Sequence, residues 1–405
     1  MGFLKETIKG ISWMGSLRIF SRFLTLLKTA ILARLLVPAQ FGVFGIVTLT
    51  IALFEILTET GINTVLIQED KNIKPLVNTA WVISIFRGIL ISFLVCLGAL
   101  PLANFFSSPQ AINFLFLASL VPLIRGFINP SIVKFQKNLE FRKEFNLRLA
   151  ILLIESLTAI VGALWTRSIV SLIFALIVGA GLEVVFSFVF CRPRPHFIWE
   201  GQKAKKIISQ GKWVTLTGVF SYLVDQGDDA VVGKILGMGS LGLYQMAYKI
   251  SNLPFTEITD VASQVTFPVY SKITQDKTRV KRAFKKTLLA IVFLVVPGVA
   301  IIFFFPELII KIILGEQWLG AAQALRVLAL FGLTRAIGGS VSPILFAFKK
   351  QNVAARISIA KLFLLALFIF PLTLKFGVSG TAMAVLASSL LVQPLIWKSI
   401  REVLR

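Results

Sequence analysis

The chain has 405 residues, of which 56% are hydrophobic and only 15% charged, and its mean hydropathy is +0.85. Soluble domains carry about a quarter charged residues, so this composition excludes an ordinary water-soluble enzyme and a disordered chain. It points instead to an all-α polytopic membrane protein. Lys and Arg number 42 against 19 Asp and Glu, a net charge of +23. The cations are dispersed between apolar spans, so no nucleic acid is expected as a partner; anionic membrane lipids and an anionic substrate are.

About twelve transmembrane helices read along the chain, at 12–37, 40–68, 76–104, 109–135, 146–167, 168–190, 212–235, 240–271, 283–306, 318–347, 353–376 and 377–398. The first holds Arg18, Ser21, Arg22, Thr25, Lys28 and Thr29 at helical spacing, which makes one polar stripe. Arg18 lies near the cytoplasmic end, where snorkelling competes with a role in a cavity. Lys28 lies about 24 Å further in than the start of the span, too deep for that. The second span carries Glu55, Thr58, Glu59 and Asn63 as a stripe, and the third contains Arg87. The fourth places Arg125 near the midplane, between Pro122 and Pro130.

A polar interval, Cys191–Lys212, separates two halves and includes Arg192-Pro193-Arg194-Pro195 and Lys203-Ala204-Lys205-Lys206. It reads as a cytoplasmic linker, with an amphipathic piece near 203–210 suited to the membrane surface. The expected organisation is an N-lobe at 1–195, a linker at 196–211 and a C-lobe at 212–405.

In the second half, span seven puts Ser221, Asp225 and Asp228 on one face, and span eight groups Gln245, Lys249, Asn252, Thr256 and Asp260. Helix breakers fall inside spans at Pro254, Pro268, Pro297, Gly338-Gly339 and Pro343, where backbone can line a cavity. Arg335 lies in span ten at a depth like that of Arg125.

Loop charges alternate. One side carries Lys134, Lys137, Arg142, Lys143, the 192–212 cations, Lys277–Lys286 and Lys349-Lys350. The other side has little beyond Arg34, Arg167, Lys234, Lys311 and Lys375. The richer side is expected in the cytoplasm together with both termini, which requires an even number of spans. Ala30–Leu36 aligns with Ala230–Leu236, and Phe41–Phe44 with Leu241–Tyr244; Leu120, Leu123 and Arg125 align with Leu330, Leu333 and Arg335. Two pseudo-symmetric six-helix lobes around a central cavity are a known transporter construction.

A charge at bilayer depth faces water, a partner or a substrate. Arg18, Arg22, Lys28, Arg87, Arg125, Lys249 and Arg335 are therefore candidate contacts for an anionic cargo, arginine being the better fork for phosphate. Salt bridges to carboxylates are the competing structural reading. Glu55, Glu59, Asp225 and Asp228 are candidates for such pairing or for carrying a coupling H+ or Na+.

Cys96 and Cys191 lie far apart and His196 is the only histidine, so neither a disulfide framework nor a metal site is expected. No cofactor motif or cleavable leader pattern is visible. The outer loops Val37–Gln40, Ser107–Gln110, Gly237–Ser240 and Lys375–Gly377 are too short to carry a catalytic domain, so a transporter is expected rather than an enzyme.

Two blocks resemble a family. Ala33-Arg34-Leu35-Leu36-Val37-Pro38-Ala39-Gln40-Phe41-Gly42, with Gly61 and Leu66-Ile67-Gln68, is similar to the opening signature of polysaccharide-transport flippases. Asp229 with Val232-Gly233-Lys234-Ile235-Leu236-Gly237, Leu241–Tyr244, Ala247-Tyr248 and Phe267-Pro268 resembles their second-half signature. These are the O-antigen and colanic-acid exporter-like members of the multidrug/oligosaccharidyl-lipid/polysaccharide superfamily. The resemblance implies a V-shaped, two-lobe flippase in the cytoplasmic membrane of a prokaryote. Its cargo would be an undecaprenyl-diphosphate-linked oligosaccharide, moved from the inner to the outer leaflet by alternating access. Glycan polymerase and glycosyltransferases would be its neighbours. The alternatives are an ion-coupled exporter of drugs or metabolites on the same fold, and a membrane component of a glycan polymerase complex.

Overall fold

The computed structural model describes residues 20–68, 73–138 and 140–404, which form helices and turns with no strand among them. Helices let so apolar a chain satisfy its backbone polar groups internally. Two compact units divide it, Met1–Leu223 and Val224–Arg405.

Unit one comprises α1 (20–35), α2 (Pro38–Leu57), α3 (Ile62–Gln68), α4 (Lys74–Phe105), α5 (Ala111–Ala118) and α6 (Leu120–Arg125). A 3-10 turn (Pro130–Val133), α7 (Lys134–Lys137), α8 (Phe141–Thr166), α9 (Val170–Phe190) and the first part of α10 (Gly201–Lys272) complete it. α8 and α9 form a hairpin whose turn holds Arg167 at φ 44 and ψ 35, and Gln40 Nε2 donates to the Arg167 carbonyl at 3.0 Å. α4 is apolar on all sides, so side-chain size rather than polarity separates its faces. Phe93, Leu97 and Leu100 point outward, while Val95, Ala99 and Ala103 are fully buried. Small residues inside and large ones outside are how helices pack in lipid, where apolarity alone gives no direction.

Two expected spans are broken. Span two ends as a helix at Leu57 and resumes at Ile62, with Gly61 at φ 66 in between. Only glycine takes that conformation without strain, so the stripe assumed for Glu55, Thr58, Glu59 and Asn63 does not lie on one continuous helix. Span four is a bent pair, Ala111–Arg125 and Pro130–Lys137, with 69° between the pieces. The residue before a proline leaves the helical region, and Asn129 accordingly has φ −67 and ψ 116. Asn129 is fully buried and fastens this bend. Its Nδ2 donates to the carbonyls of Ser187 (3.4 Å), Cys191 (3.4 Å) and Pro193 (3.1 Å), while its Oδ1 accepts from Ser131 N at 2.9 Å. The Trp81 indole adds a bond to Phe127 O at 3.0 Å. Beside this knot, burial pushes the Cys191 thiol up to about 11; the charge of Lys134 opposes that shift and the charge of Glu140 adds to it.

Unit two contains the rest of α10, then α11 (Lys277–Phe304), α12 (Pro306–Ile313), a 3-10 segment (Glu316–Ala321), α13 (Ala322–Gly339), α14 (Ser342–Ala347) and α15 (Gln351–Leu404). The linker expected at 196–211 is helical from Gly201 and runs on into span seven as one helix as far as Gly237, at φ 81. Gly377, at φ 59, turns α15 where spans eleven and twelve were expected to meet. Pro268 and Pro297 leave their helices continuous, whereas the Gly338-Gly339 region gives way to a break before Pro343, which sits in the first turn of α14.

Among the described residues, seven helices are long and apolar enough to cross a membrane, or eight with the bent pair. α10 is not one of them. Asp225, Asp228, Asp229, Lys234, Lys249, Glu257 and Asp260 interrupt its hydropathy. The helix that fails the test by composition is the one richest in candidate functional side chains.

Candidate functional site

The break in span two builds the first half of the site. A helix end leaves its last carbonyls without intrahelical partners, and here an arginine from the neighbouring helix reaches them. Arg87 on α4 donates from Nη2 to Glu55 O at 2.6 Å and from Nε to Thr58 O at 2.9 Å. Its Nη2 also pairs with Glu59 Oε2 at 3.0 Å. Glu59 Oε1 accepts from Gly61 N at 2.9 Å, which holds the carboxylate over the turn.

Arg125, at the end of α6, lies between two carboxylates. Its Nη1 is 3.5 Å from Glu55 Oε1, and its Nε is 3.3 Å from Glu183 Oε2 on α9. Both are ion pairs with loose geometry; the Nε makes no aligned hydrogen bond. Arg87 and Arg125 come together because Gly88 and Gly126 do. A Cβ on Gly88 would lie 2.7 Å from Pro122 O and 2.9 Å from the Gly126 Cα. The result is a cavity of about 350 Å³ lined by Glu55, Glu59, Arg87, Arg125 and Glu183, with Gln136, Glu144 and Arg148 also in its wall. The cavity therefore holds arginines already matched by carboxylates.

Lys28 lies elsewhere in unit one, paired with Glu155 Oε1 on α8 at 2.9 Å. Gly179 on α9 makes room for that carboxylate, since a Cβ there would stand 3.1 Å from Glu155 Oε2. Arg22 is exposed on α1. Arg18 lies outside the described residues.

In unit two, Arg335 on α13 donates from Nη1 to the Tyr248 hydroxyl at 2.7 Å and stands 3.6 Å from Asp225 Oδ1. One turn along α10, the Tyr244 hydroxyl donates to Asp228 Oδ2 at 2.6 Å, and Gln245 Nε2 to Asp229 Oδ2 at 3.2 Å. Asp228 and Asp229 are buried. Lys249 is half-buried on the same helix. Asp225 and Arg335 are thus joined, with Tyr248, in one set of contacts, Asp228 is held by Tyr244 in another, and Glu55, Glu59, Arg87 and Arg125 share the cavity of unit one.

The sequence reading missed Glu155 and Glu183, which supply partners to Lys28 and Arg125, and Lys361, whose ammonium stands 5.1 Å from the centroid of the Phe331 ring; it quoted Asp229 and Tyr244 without giving them a place in the site. For Glu155, Glu183 and Lys361 a signal was present: a lone carboxylate or ammonium inside an apolar run. Among the described residues, no group of three or more His, Cys, Asp and Glu side chains could hold a metal ion.

A family model described as "Polysaccharide biosynthesis protein" matches residues 31–323. The lipopolysaccharide biosynthesis protein WzxC of Escherichia coli (strain K12) is 23% identical over 368 residues, covering 90% of this chain and 74% of that protein. Among solved structures, the lipid II flippase MurJ in an inward closed conformation superposes with a TM-score of 0.78 at 18% identity, covering 96% of this chain and 87% of its own. An inward-facing multidrug resistance transporter of the MATE family, in the MOP superfamily, gives 0.67 at 13% identity, covering 96% and 98%. The fold is that of these transporters, and two further relatives are named as a succinoglycan biosynthesis transport protein (ExoT of Rhizobium meliloti strain 1021, 23% identical, 82% of this chain and 67% of that protein) and a probable glycan biosynthesis flippase (Agl15 of Haloferax volcanii, 22% identical, 45% and 39%).

Proposed function

The chain belongs to the polysaccharide biosynthesis protein family, and from that premise we propose that it is a flippase for a lipid-linked oligosaccharide diphosphate. In this reading it sits in the cytoplasmic membrane with both termini inside, and it carries the glycan lipid from the inner to the outer leaflet by alternating access.

The observation that carries the reading is Arg125, held loosely between Glu55 and Glu183 in a wet-sized cavity beside Arg87. A diphosphate carries two to three negative charges and takes guanidinium forks as charge-assisted hydrogen bonds. In this structure the carboxylates occupy those forks. Exchange of both carboxylates for the diphosphate would hand Arg125 to the cargo, and departure of the cargo would return it to them. A coupling H+ or Na+ taken up where the carboxylates are freed would link ion and cargo through one arginine. Arg22, Lys28, Lys249 and Arg335 are proposed as further contacts along the route, and Asp225 and Asp228 as a second place where charge is exchanged. Glycan polymerase and glycosyltransferases are the proposed neighbours.

The test is export in a host lacking the chromosomal copy, read as accumulation of the lipid-linked intermediate on the inner leaflet. Each charge-assisted bond contributes about 1.5–3 kcal/mol. Arg125→Gln is therefore expected to cut export about tenfold or more, a factor that corresponds to roughly 1.4 kcal/mol, with membrane insertion intact. Arg125→Lys recovers only part, since the fork is lost. Full export by Arg125→Gln would sink the reading. So would restoration of export by the triple change Arg125→Gln, Glu55→Gln and Glu183→Gln, which would reduce Arg125 to a structural counter-charge.

A further inference from the structure

The interval between the spans expected at 283–306 and 318–347 is not a loop. It folds as α12 (Pro306–Ile313) and the 3-10 segment Glu316–Ala321. α11 before it has 28 residues, which at about 1.5 Å each make about 42 Å, beyond the roughly 30 Å of a hydrocarbon core. The chain leaves the helical region at Phe305, with φ −123 and ψ 43, and Pro306 starts α12 afresh. With 8 residues, α12 is about 12 Å long and cannot cross. A piece so short at the end of a full span belongs near a membrane face.

The sides of α12 say where it stands. Successive side chains step about 100° around a helix, so residues one turn apart share a side. Pro306 and Ile310 share one side and are buried. Glu307 and Lys311 share the next and are exposed. Leu308 and Ile312 share a third, and they are 55% and 62% exposed. The end of the helix is fastened: Leu314 N and Gly315 N donate to Ile310 O at 2.7 and 3.0 Å, Gly315 turns at φ 107, and Trp318 beyond it is fully buried. Lys311 Nζ reaches Glu316 Oε1 at 2.6 Å across this turn.

Three unlike sides imply three neighbours: protein, water and something apolar. Leu308 and Ile312 continue a run of exposed apolar side chains, Ile301, Phe304 and Phe305, that begins on α11, a helix long and apolar enough to cross a membrane. An exposed apolar patch of this kind marks a contact surface. Full immersion in hydrocarbon would strand Glu307, Lys311 and Glu316, whose charges are costly there.

We propose that α12 is an interfacial helix whose partner is the lipid of the membrane itself. Its Leu308–Ile312 side seats at the boundary of headgroups and acyl chains, and its Glu307–Lys311 side stays in water. Amphipathic helices bind that boundary in this way. The occupant is phospholipid rather than a second protein, because the apolar side runs on from the exposed surface of a spanning helix and is bordered directly by charge. Interfacial anchors set the tilt of the spans they adjoin, here α11 and α13. This inference concerns unit two alone. Its test reads depth rather than export, so it stands or falls independently of the flippase reading.

The test uses the full chain carrying Cys96→Ser and Cys191→Ser, reconstituted into vesicles of phosphatidylethanolamine and phosphatidylglycerol. A nitroxide is attached at one introduced cysteine: Glu307→Cys, Leu308→Cys, Lys311→Cys or Ile312→Cys. Power saturation then compares collision with oxygen, which concentrates in lipid, and with a water-soluble nickel chelate. If Cys191→Ser folds poorly, Cys191 is kept, since its burial protects it from the label. The oxygen-to-nickel ratio is expected to be several-fold higher at positions 308 and 312 than at 307 and 311. Free access of nickel to all four positions would overturn the proposal, because α12 would then be an aqueous segment. High oxygen with low nickel at all four overturns it too, by placing the helix wholly in hydrocarbon. So does shielding of positions 308 and 312 from both probes, which would show protein on that side.

Discussion

Asn129 shows how much one side chain can fix. Its amide serves the carbonyls of Ser187, Cys191 and Pro193 at once, all next to a bend that no regular helix could close. Asn129→Ala leaves buried acceptors unpaired, and each such group costs about 1–3 kcal/mol. We expect the variant to lose about 2–3 kcal/mol of stability, measured by thermal unfolding in detergent. Cys191 reports the same event chemically. Its thiol is buried, and ionises only as pH rises towards about 11 rather than through the ordinary cysteine range. In a Cys96→Ser background, maleimide should therefore label the folded protein slowly at pH about 8, against the usual thiol value near 8.5. The rate should keep climbing past pH about 9. Asn129→Ala should speed the labelling at every pH; an unchanged rate would refute the anchoring role.

Charged residues were legible where they recur at helical spacing, as Asp225 and Asp228 do and as the cations of α1 do. The stripe read through Glu55 and Glu59 is interrupted, because the helix ends at Leu57. Glu155, Glu183 and Lys361 each stand alone in an apolar run. A lone charge has no period, so only the rule that it must find a partner would have exposed it. Which partner it finds depends on packing between helices far apart in sequence.

For helices, contact between α4 and α6 decides whether Arg87 and Arg125 share a cavity. Gly88 and Gly126 let the backbones touch, with no space for even a methyl group at position 88. Gly88→Val must push against Pro122 O and the Gly126 Cα, neither of which can swing aside. Overpacking of this kind typically costs about 1–3 kcal/mol. Separation of the helices also moves Arg87 relative to Arg125, so export should fall along with stability. A Gly98→Val control on the same helix meets only side-chain atoms at 3.4 Å or beyond, and it should be tolerated much better. Equal damage from both would show that the close approach at Gly88 has no special role. Long, strongly apolar helices such as α4 and α9 were readable from hydropathy alone. The break after Leu57 was not. Its cause is one glycine at positive φ, and glycine is common inside membrane helices that stay straight.

For the molecule as a whole, the distribution of lysine and arginine predicts orientation. A reporter enzyme active only outside the cell should work when fused after Ser108 and stay silent after Lys349. Those loops carry opposite charge character in the sequence, and in membrane proteins generally the cation-rich loops lie on the cytoplasmic side. The reverse pattern would invert the topology. Fold class and membrane character were legible because composition leaves no other state in which the chain is stable. The number of crossings was harder to read, since α10 trades hydropathy for charge along its length. A helix that carries several charged side chains is the kind that hydropathy passes over.

Arg87 and Arg125 differ in what fastens them. Arg87 is tied to main-chain carbonyls at the end of α2, which exist whatever residues surround them. Arg125 is tied only to side chains, Glu55 and Glu183. Evolution can therefore retune Arg125 one carboxylate at a time, whereas Arg87 is fixed by the path of the backbone. An engineer who wished to adapt this scaffold to a different head group would begin by diversifying positions 55 and 183, and would leave position 87 untouched.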